Sequence, residues 1–317
     1  MKLLEQINNI YALDTKMFGL DKYMSAFLVK GKELVMVDTG QPRRMDAVRT
    51  AINAYGFSVS DISRIFVTHC EHPDHAGNVA ALLRESPKAK VYINPIGKSI
   101  MLNPRAVDWT KLVSAELLPK YMEIVNVWEP VPESRIELLK DGQEIDLGDN
   151  EKLKIMFTPG HQPSGYVIFE SKNNGLFIND LVGNCFLDAG SHYPLSPTKS
   201  DNIETVRILK ILLKTKFHNL YLGHYGITDE PEKIISRSIE KIQALLDIGK
   251  KHILAGTPDL IPEEYLETIV PELDKLRAQR GEPVYQYASK HHIISQGKGF
   301  IPYCQRKFGL KVNKNNT

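Results

Sequence analysis

The chain has 317 residues, of which 42% are hydrophobic and 25% charged, and this composition indicates a soluble globular protein with a large core. A net charge of +2 argues against nucleic acid or an anionic membrane as the main partner, and three cysteines are too few for a disulfide framework. The N-terminus shows no secretory signal and no apolar run approaches the roughly 18 residues of a membrane helix, so we expect a cytoplasmic protein.

The first ninety residues alternate between short apolar runs, glycine-containing turns and segments with helical spacing. A short apolar run that ends at a turn predicts a strand, and apolar residues at intervals of three and four predict a helix. The predicted strands cover 10–13, 25–29, 33–37, 61–67 and 90–93, and the predicted helices cover 45–55 and 76–83. This alternation of strand and helix indicates an α/β fold.

The third predicted strand ends at Asp38-Thr39-Gly40, which indicates a tight turn. A carboxylate in this position can accept backbone N–H groups, as in an ordinary turn, or it can support a metal ligand without binding the ion itself. We favour the supporting role for Asp38.

Seven consecutive positions, 69–75, hold three histidines, one cysteine and two carboxylates. An apolar run precedes them and an alanine- and leucine-rich segment follows, which is typical of a strand that ends in a ligand-bearing loop and leads into a helix. Imidazole and carboxylate groups at this density favour a transition metal such as zinc, manganese or iron.

Large apolar side chains between residues 95 and 128 are interrupted by Pro104 and Pro119, so short helical pieces are predicted there. Such an insertion near the loop could line a substrate pocket, although ordinary helix packing explains the same side chains. Strands are predicted again within 135–147 and 152–157.

Three later segments repeat the pattern of an apolar strand that ends at a residue able to bind a metal. These residues are His161, Asp180 and His224. Because strand ends cluster at one edge of a sheet, ligands that are distant in sequence can meet there. Glycine before His161 and before His224 allows the backbone to turn sharply.

The character of the sequence changes after residue 228. Long amphipathic helices are predicted over 230–250 and 262–280, whereas 282–310 shows a mixed pattern. We therefore expect a catalytic domain over 1–228 and a C-terminal helical extension over 229–317. The extension should either cap the site or form a homodimer.

In this order, the motifs resemble those of the metallo-β-lactamase superfamily of binuclear hydrolases, and the resemblance covers about residues 10–226. The five motifs are Asp38-Thr39-Gly40, the loop 69–75, Pro159-Gly160-His161, Asp180 and Gly223-His224. The resemblance implies a four-layer αββα sandwich of the α/β class, here with an added C-terminal helical segment, and ligands at one edge of the sandwich.

The resemblance also implies two divalent metal ions, zinc first, with iron or manganese as alternatives. Seven ligands follow from the motifs: His69, His72 and His161 at the first site, Asp74, His75 and His224 at the second, and Asp180 bridging both. Asp74 is expected to hold a metal-bound hydroxide that attacks the substrate.

One departure from the family pattern leaves the first ligand open. The family loop reads His-x-His-x-Asp-His, whereas the loop here is one residue longer. Counting from the strand places His69 in the first position, and counting back from Asp74 places Cys70 there. A third alignment pairs His69 with Glu71, as in the flavodiiron branch. We favour His69 with His72.

The activity expected from the resemblance is hydrolysis of a carbonyl ester, thioester or lactone of a small molecule. The alternatives are an iron-dependent redox protein of the flavodiiron-like branch, a phosphodiesterase, or a binding protein without catalysis. Tyr193 and Tyr225 are candidate catalytic residues because each could donate a hydrogen bond to a tetrahedral intermediate. His291 and His292 are expected to be structural or exposed.

Overall fold

A computed structural model of the chain describes residues 2–111, 115, 118–282 and 290–309, with the side chains of residues 120 and 290–295 not described. The described residues form two large β-sheets and one two-stranded sheet. The first sheet contains β1 (Gln6–Ile7), β2 (Ile10–Asp14), β3 (Ser25–Lys30), β4 (Leu34–Val37), β5 (Ile62–Phe66), β6 (Lys90–Ile93) and β7 (Ile136–Leu138). The second contains β8 (Glu144–Gly148), β9 (Glu151–Phe157), β10 (Tyr166–Glu170), β11 (Gly175–Asn179), β14 (Asn219–Leu222) and β15 (Gly226–Thr228), and the small sheet pairs β12 (Asn184–Phe186) with β13 (Ser191–Tyr193).

The helices lie on the outer faces of the two large sheets. Those that accompany the first sheet are α1 (Met45–Ala54), α2 (Pro73–Ala76), α3 (Val79–Glu85), α4 (Lys98–Leu102) and α5 (Leu118–Val125). Those that accompany the second are α6 (Asn202–Leu212), α7 (Pro231–Ala255), α8 (Ile261–Arg280) and α9 (Lys290–Phe308). No helix within the described residues is both long enough and apolar enough to cross a lipid bilayer.

Strand order determines which strand ends lie together. The first sheet follows sequence order, with antiparallel pairs from β1 to β4 and parallel pairs from β4 to β7. The second sheet has the order β15-β14-β11-β10-β9-β8, and β11 and β14 are parallel neighbours. The carboxyl ends of β4 and β5 are therefore adjacent, as are those of β11 and β14.

Side-chain alternation along the strands builds a core on each face of each sheet. In β3, Val29 packs between the two sheets while Leu28 packs beneath the helices of the first sheet. In β10, Ile168 packs between the sheets and Val167 packs against the C-terminal helices. The predicted four-layer αββα sandwich with added C-terminal helices is confirmed.

The C-terminal helices contact the sandwich beside one particular loop. Arg280, the last residue of α8, donates hydrogen bonds to both carboxylate oxygens of Asp188, at 2.6 and 3.1 Å. Its guanidinium also donates to the Lys22 carbonyl oxygen at 2.6 Å and lies 4.9 Å from the centroid of the Phe186 ring. The extension thus holds the loop between β2 and β3.

Two sequence predictions about helices were wrong in their details. The helix predicted over 76–83 begins at Val79, since Ala76 is the last residue of α2; at Gly77, between the two helices, a Cβ atom would overlap the Pro42 ring. The mixed pattern predicted over 282–310 is instead the helix α9 within its described residues. A Cβ atom on Gly297 would lie 2.8 Å from Pro262 Cα, so the glycine that weakens the sequence signal for a helix is also what lets α9 pack closely against α8.

Candidate metal centre

The residues predicted to bind metal follow the carboxyl ends of strands at one edge of the sandwich. His69 lies three residues after β5, Asp180 follows β11 directly, and His224 lies two residues after β14. Gly223 is needed beside them, since a Cβ atom there would lie 2.5 Å from Asp180 Oδ1. The fold therefore brings together side chains that are as many as 155 positions apart, the difference between 224 and 69.

Asp180 occupies the middle of the cluster and is 2% exposed. Its carboxylate oxygens lie 3.3 Å from His75 Nε2, 3.6 Å from His161 Nε2, 3.6 Å from His224 Nε2 and 4.0 Å from His69 Nε2. One carboxylate surrounded by four imidazoles is the arrangement expected of a residue that bridges two metal ions.

Potential ligand atoms fall into three overlapping groups, in each of which the atoms lie within 4.8 Å of one another. The groups are His69, His72 and His161; His69, His75 and Asp180; and Asp74, Asp180 and His224. The fold therefore brings together all seven residues that the sequence predicted as ligands.

Unpartnered buried atoms provide a test of whether these residues fit metal ions. Both ring nitrogens of His69 and of His161, together with one carboxylate oxygen each of Asp74 and Asp180, are buried and lack a hydrogen-bond partner. Leaving buried polar atoms unpaired costs about 1–3 kcal/mol each, so such atoms are rarely clustered without a ligand. Nitrogen and carboxylate donors in this number fit two divalent transition-metal ions.

The pKa values of the imidazoles determine which rings are neutral and so available to a metal ion. Burial lowers the pKa of His72 to about 4 and that of His161 to about 3, so both rings are neutral at neutral pH. Burial has the same direction of effect on His75, but the Asp38 and Asp180 carboxylates outweigh it and raise its pKa well above the ordinary value. A metal must displace this proton, and metal affinity should therefore fall as the pH is lowered.

Two of the candidate ligands are oriented through their second ring nitrogen. His75 Nδ1 lies 2.8 Å from Asp38 Oδ2, and Asp38 itself accepts hydrogen bonds from the Thr68 backbone and hydroxyl. His224 Nδ1 lies 3.0 Å from the carbonyl oxygen of Tyr23. Such contacts fix the ring orientation and leave Nε2 to face the ion. The geometry matches the supporting role favoured for Asp38.

Replacing Asp38 with asparagine should weaken metal binding about 10- to 100-fold, because an amide holds the His75 ring less firmly than a carboxylate does. Competition with a chelator of known affinity would measure the effect. If metal affinity were unchanged in the D38N variant, the contact with His75 would have no orienting role.

The extra residue of the loop 69–75 is accommodated by turning two side chains away from the centre. Cys70 and Glu71 are 0% and 2% exposed, and neither belongs to a ligand group. The Cys70 thiol packs against Gly97, where a Cβ atom would lie 2.5 Å from the sulfur, and the Glu71 carboxylate contacts Ser164. Of the three alignments that the sequence left open, this geometry favours His69 with His72.

The two tyrosines predicted from sequence to be catalytic do not direct their hydroxyl groups at the candidate ligands. The Tyr193 hydroxyl accepts a hydrogen bond from Asn184 Nδ2 at 2.9 Å. The Tyr225 hydroxyl donates a hydrogen bond to Glu5 Oε1 at 3.5 Å. Their proposed roles as donors to an intermediate are therefore not supported by the contacts they make.

Two other tyrosines lie beside the cluster: Tyr23, which the sequence did not single out, and Tyr121, one of the large side chains of the insertion that was predicted to be able to line a pocket. The Tyr23 ring is 5.7 Å from the His224 ring, and the Tyr121 ring is 6.1 Å from the His72 ring. Burial, with the nearby Asp74 and Asp180 carboxylates, raises the pKa of Tyr121 well above its ordinary value, so its phenol stays protonated. Tyr23 could have been found, since it precedes β3, whose start lies beside the end of β4 and Asp38.

The side chains of His291 and His292 lie outside the described residues. The seven candidate ligands lie in loops of the sandwich, and the insertion adds the ring of Tyr121 in α5 beside them.

An αββα sandwich with seven histidine and aspartate side chains gathered at one edge defines a class of metal-binding proteins. A family model described as the metallo-beta-lactamase superfamily matches residues 21–224, and the chain belongs to this superfamily. Its members are typically metal-dependent hydrolases that bind two ions.

Curated relatives include proteins with different functions. The flavo-diiron protein FprA2 of Clostridium acetobutylicum is 26% identical over 160 residues, which are 50% of this chain and 34% of that protein. A beta-lactamase-like protein 2 homolog of Caenorhabditis elegans is 21% identical over 271 residues, which are 84% of this chain and 79% of that protein. The match thus spans about a third of the flavo-diiron relative.

Solved structures agree on the fold. A metallo-beta-lactamase family protein from Thermus thermophilus superposes with a TM-score of 0.65 at 16% identity, covering 95% of this chain and 94% of the other. An archaeal metallo-beta-lactamase superfamily protein from Sulfolobus tokodaii superposes with a TM-score of 0.56 at 20% identity, covering 74% and 86%. At these identities the likeness extends to the fold alone.

Proposed function

We propose that the chain is a hydrolase that requires two divalent metal ions, zinc in the first instance, and cleaves an ester, thioester or lactone of a small molecule. The observation that carries the proposal is the group formed by His69, His72 and His161, with Glu71 excluded from it. Three neutral imidazoles can hold a zinc ion and leave one coordination position open.

Bound divalent ions would lower the pKa of a water molecule and polarise a substrate carbonyl. The residues of the chain supply the rest of the chemistry. Asp74 is 6% exposed and offers one atom to its ligand group, so one carboxylate oxygen could face an ion while the other accepts a proton from an attacking water. Burial raises the pKa of Tyr23 and of Tyr121, so both phenols stay protonated and can donate hydrogen bonds to substrate oxygen atoms.

An iron-dependent redox protein is the alternative that a specific observation favours, namely the similarity to the flavo-diiron protein FprA2. The family pattern of that branch would use Glu71 as a ligand. Here Glu71 accepts hydrogen bonds from Ser164 instead. We therefore place the redox function second.

Metal content is the measurement that tests the proposal. Protein purified without added metal should contain about two zinc ions per chain by inductively coupled plasma mass spectrometry. This protein should then hydrolyse at least one member of a panel of esters, thioesters and lactones, and should lose that activity on treatment with a chelator. Bound iron with visible absorption and a response to oxygen would instead favour the redox alternative.

A further inference from the structure

Glu71 lies between two loops that both carry candidate metal ligands. It is 2% exposed, and Ser164, in the loop that follows His161, is 0% exposed. Glu71 Oε1 accepts a hydrogen bond from the Ser164 backbone N–H at 2.9 Å. Glu71 Oε2 accepts one from the Ser164 hydroxyl at 2.5 Å and one from the Cys70 backbone N–H at 3.2 Å.

The Ser164 hydroxyl links the two loops a second time, because its oxygen also accepts a hydrogen bond from the Cys70 backbone N–H at 3.0 Å. Three buried donors from two loops thus converge on one carboxylate. Charge-assisted hydrogen bonds of this kind are about twice as strong as neutral ones. Two of the donors are backbone groups, so the contact fixes the path of both chain segments as well as the side chains.

This contact explains how a lengthened loop can still present three histidines. The loop has one residue more than the family pattern, and Cys70 and Glu71 are the residues whose side chains are buried in the protein away from the candidate ligands. With both turned away, the imidazoles of His69 and His72 lie on the same side and close to His161.

We infer that Glu71 is a positioning residue, which ties the loop 69–75 to Ser164 and thereby holds His69 and His72 in register with His161 at the first metal site. This inference rests on the proposed function only in requiring that the cluster bind metal. It names a role for the side chain that the sequence had offered as a ligand.

The role should be confined to the first site. Two candidate ligands of the second site have supports of their own, since Asp38 holds His75 and the Tyr23 carbonyl holds His224. Neither support contacts Glu71 or Ser164. Loss of the Glu71 contact should therefore lower the metal affinity of the first site and leave that of the second site unchanged.

The test uses a Glu71→Gln variant, which keeps the shape of the side chain but replaces one accepting oxygen with an NH₂ group. Titration of the metal-free protein with Co²⁺ against a competing chelator, followed by visible absorption, would give the affinity of each site. We expect the first-site affinity to fall about 10- to 100-fold in E71Q and the second-site affinity to stay unchanged. A Ser164→Ala variant, which removes only the hydroxyl, should give a smaller loss at the same site.

Glu170→Gln provides a matched control. Glu170 is also 2% exposed and also accepts three hydrogen bonds, from the Tyr221 hydroxyl and from two nitrogens of Asn173. It lies at the far end of β10, about 13 Å along the strand from Tyr166. Both Co²⁺ affinities should be unchanged in this control.

Four results would show whether the positioning role, the proposed function or both are wrong. Wild-type affinity at the first site in both E71Q and S164A would overturn the positioning role, as would an equal loss at both sites. Normal binding of two Co²⁺ ions by the wild-type protein, with first-site loss in E71Q but no hydrolysis of any ester, thioester or lactone, would leave the positioning role intact and overturn the proposed function. A wild-type protein that binds no Co²⁺ would overturn both.

Discussion

An Asp180→Asn variant should lose at least about 10³-fold in kcat/KM for any substrate that the wild-type protein hydrolyses. The loss follows because Asp180 lies within 4.0 Å of nitrogen atoms of four imidazoles and belongs to two of the three ligand groups, so it could bind two ions at once. Several kcal/mol of transition-state stabilisation depend on correctly held ions, and each 1.36 kcal/mol corresponds to a factor of ten.

Metal content would show how the activity is lost in D180N. We expect fewer than two zinc ions per chain by inductively coupled plasma mass spectrometry, because an amide is a poor bridging ligand for two cations. The Glu170→Gln variant, whose buried carboxylate contacts no imidazole, should keep both its zinc and its activity. A D180N protein with two tightly bound zinc ions and wild-type activity would contradict the central position given to Asp180.

Much of the site could be predicted because the ligands follow strand ends. An apolar run that stops at His161, Asp180 or His224 is visible in sequence, and strand ends must meet at sheet edges. The direction of each side chain within the loop 69–75 could not be predicted in the same way. It depends on the contact of Glu71 with Ser164, which lies 93 positions away.

The tyrosines show where sequence proximity fails as a guide. Tyr225 adjoins His224 in the chain, but both lie in the turn between β14 and β15, and the Tyr225 hydroxyl lies beside Glu5. Tyr121 is 49 positions from His72, and only the packing of the insertion places its ring beside the imidazole. The sequence indicated that large side chains of the insertion could line a pocket, but not which of them would lie beside the histidines.

The C-terminal helices depend on a buried carboxylate that the sequence did not single out. Glu272 in α8 is 5% exposed, and its oxygens lie 2.8 Å from Arg237, 2.9 Å from Lys241 and 3.2 Å from Lys275. Glu272 also accepts a hydrogen bond from the His192 backbone N–H in β13. One side chain therefore joins α7, α8 and the small sheet.

Replacing Glu272 with alanine should lower the free energy of unfolding by about 3 kcal/mol. Removing one member of a buried ion pair leaves the other charges uncompensated, and this typically costs about 3–5 kcal/mol. We expect the lower end of that range because Arg237 and Lys241 keep side-chain exposures of 28% and 24%. Urea unfolding at neutral pH would measure the change.

A surface ion pair offers the control for E272A. Glu129 pairs with Arg84, and their side chains are 49% and 60% exposed. A Glu129→Gln variant should change the free energy of unfolding by less than about 1 kcal/mol. If E272A lowered the free energy of unfolding no more than this control does, the buried network would not be what holds the C-terminal helices to the sandwich.

The pH dependence of the free energy of unfolding tests whether the charge of Glu272 stabilises the fold. Burial alone would raise its pKa, but hydrogen bonds from Lys241 and from the His192 N–H outweigh burial and lower the pKa from 4.5 to about 2. Since the folded pKa is depressed, the stabilisation is complete above the unfolded value of 4.5 and is lost as the pH falls towards 2. The difference in free energy of unfolding between the wild-type protein and a Glu272→Gln variant should therefore shrink by about 1 kcal/mol between about pH 7 and about pH 3.5. A difference that stayed constant over this range would mean that the charge of Glu272 contributes no stability and that its packing contributes all of it.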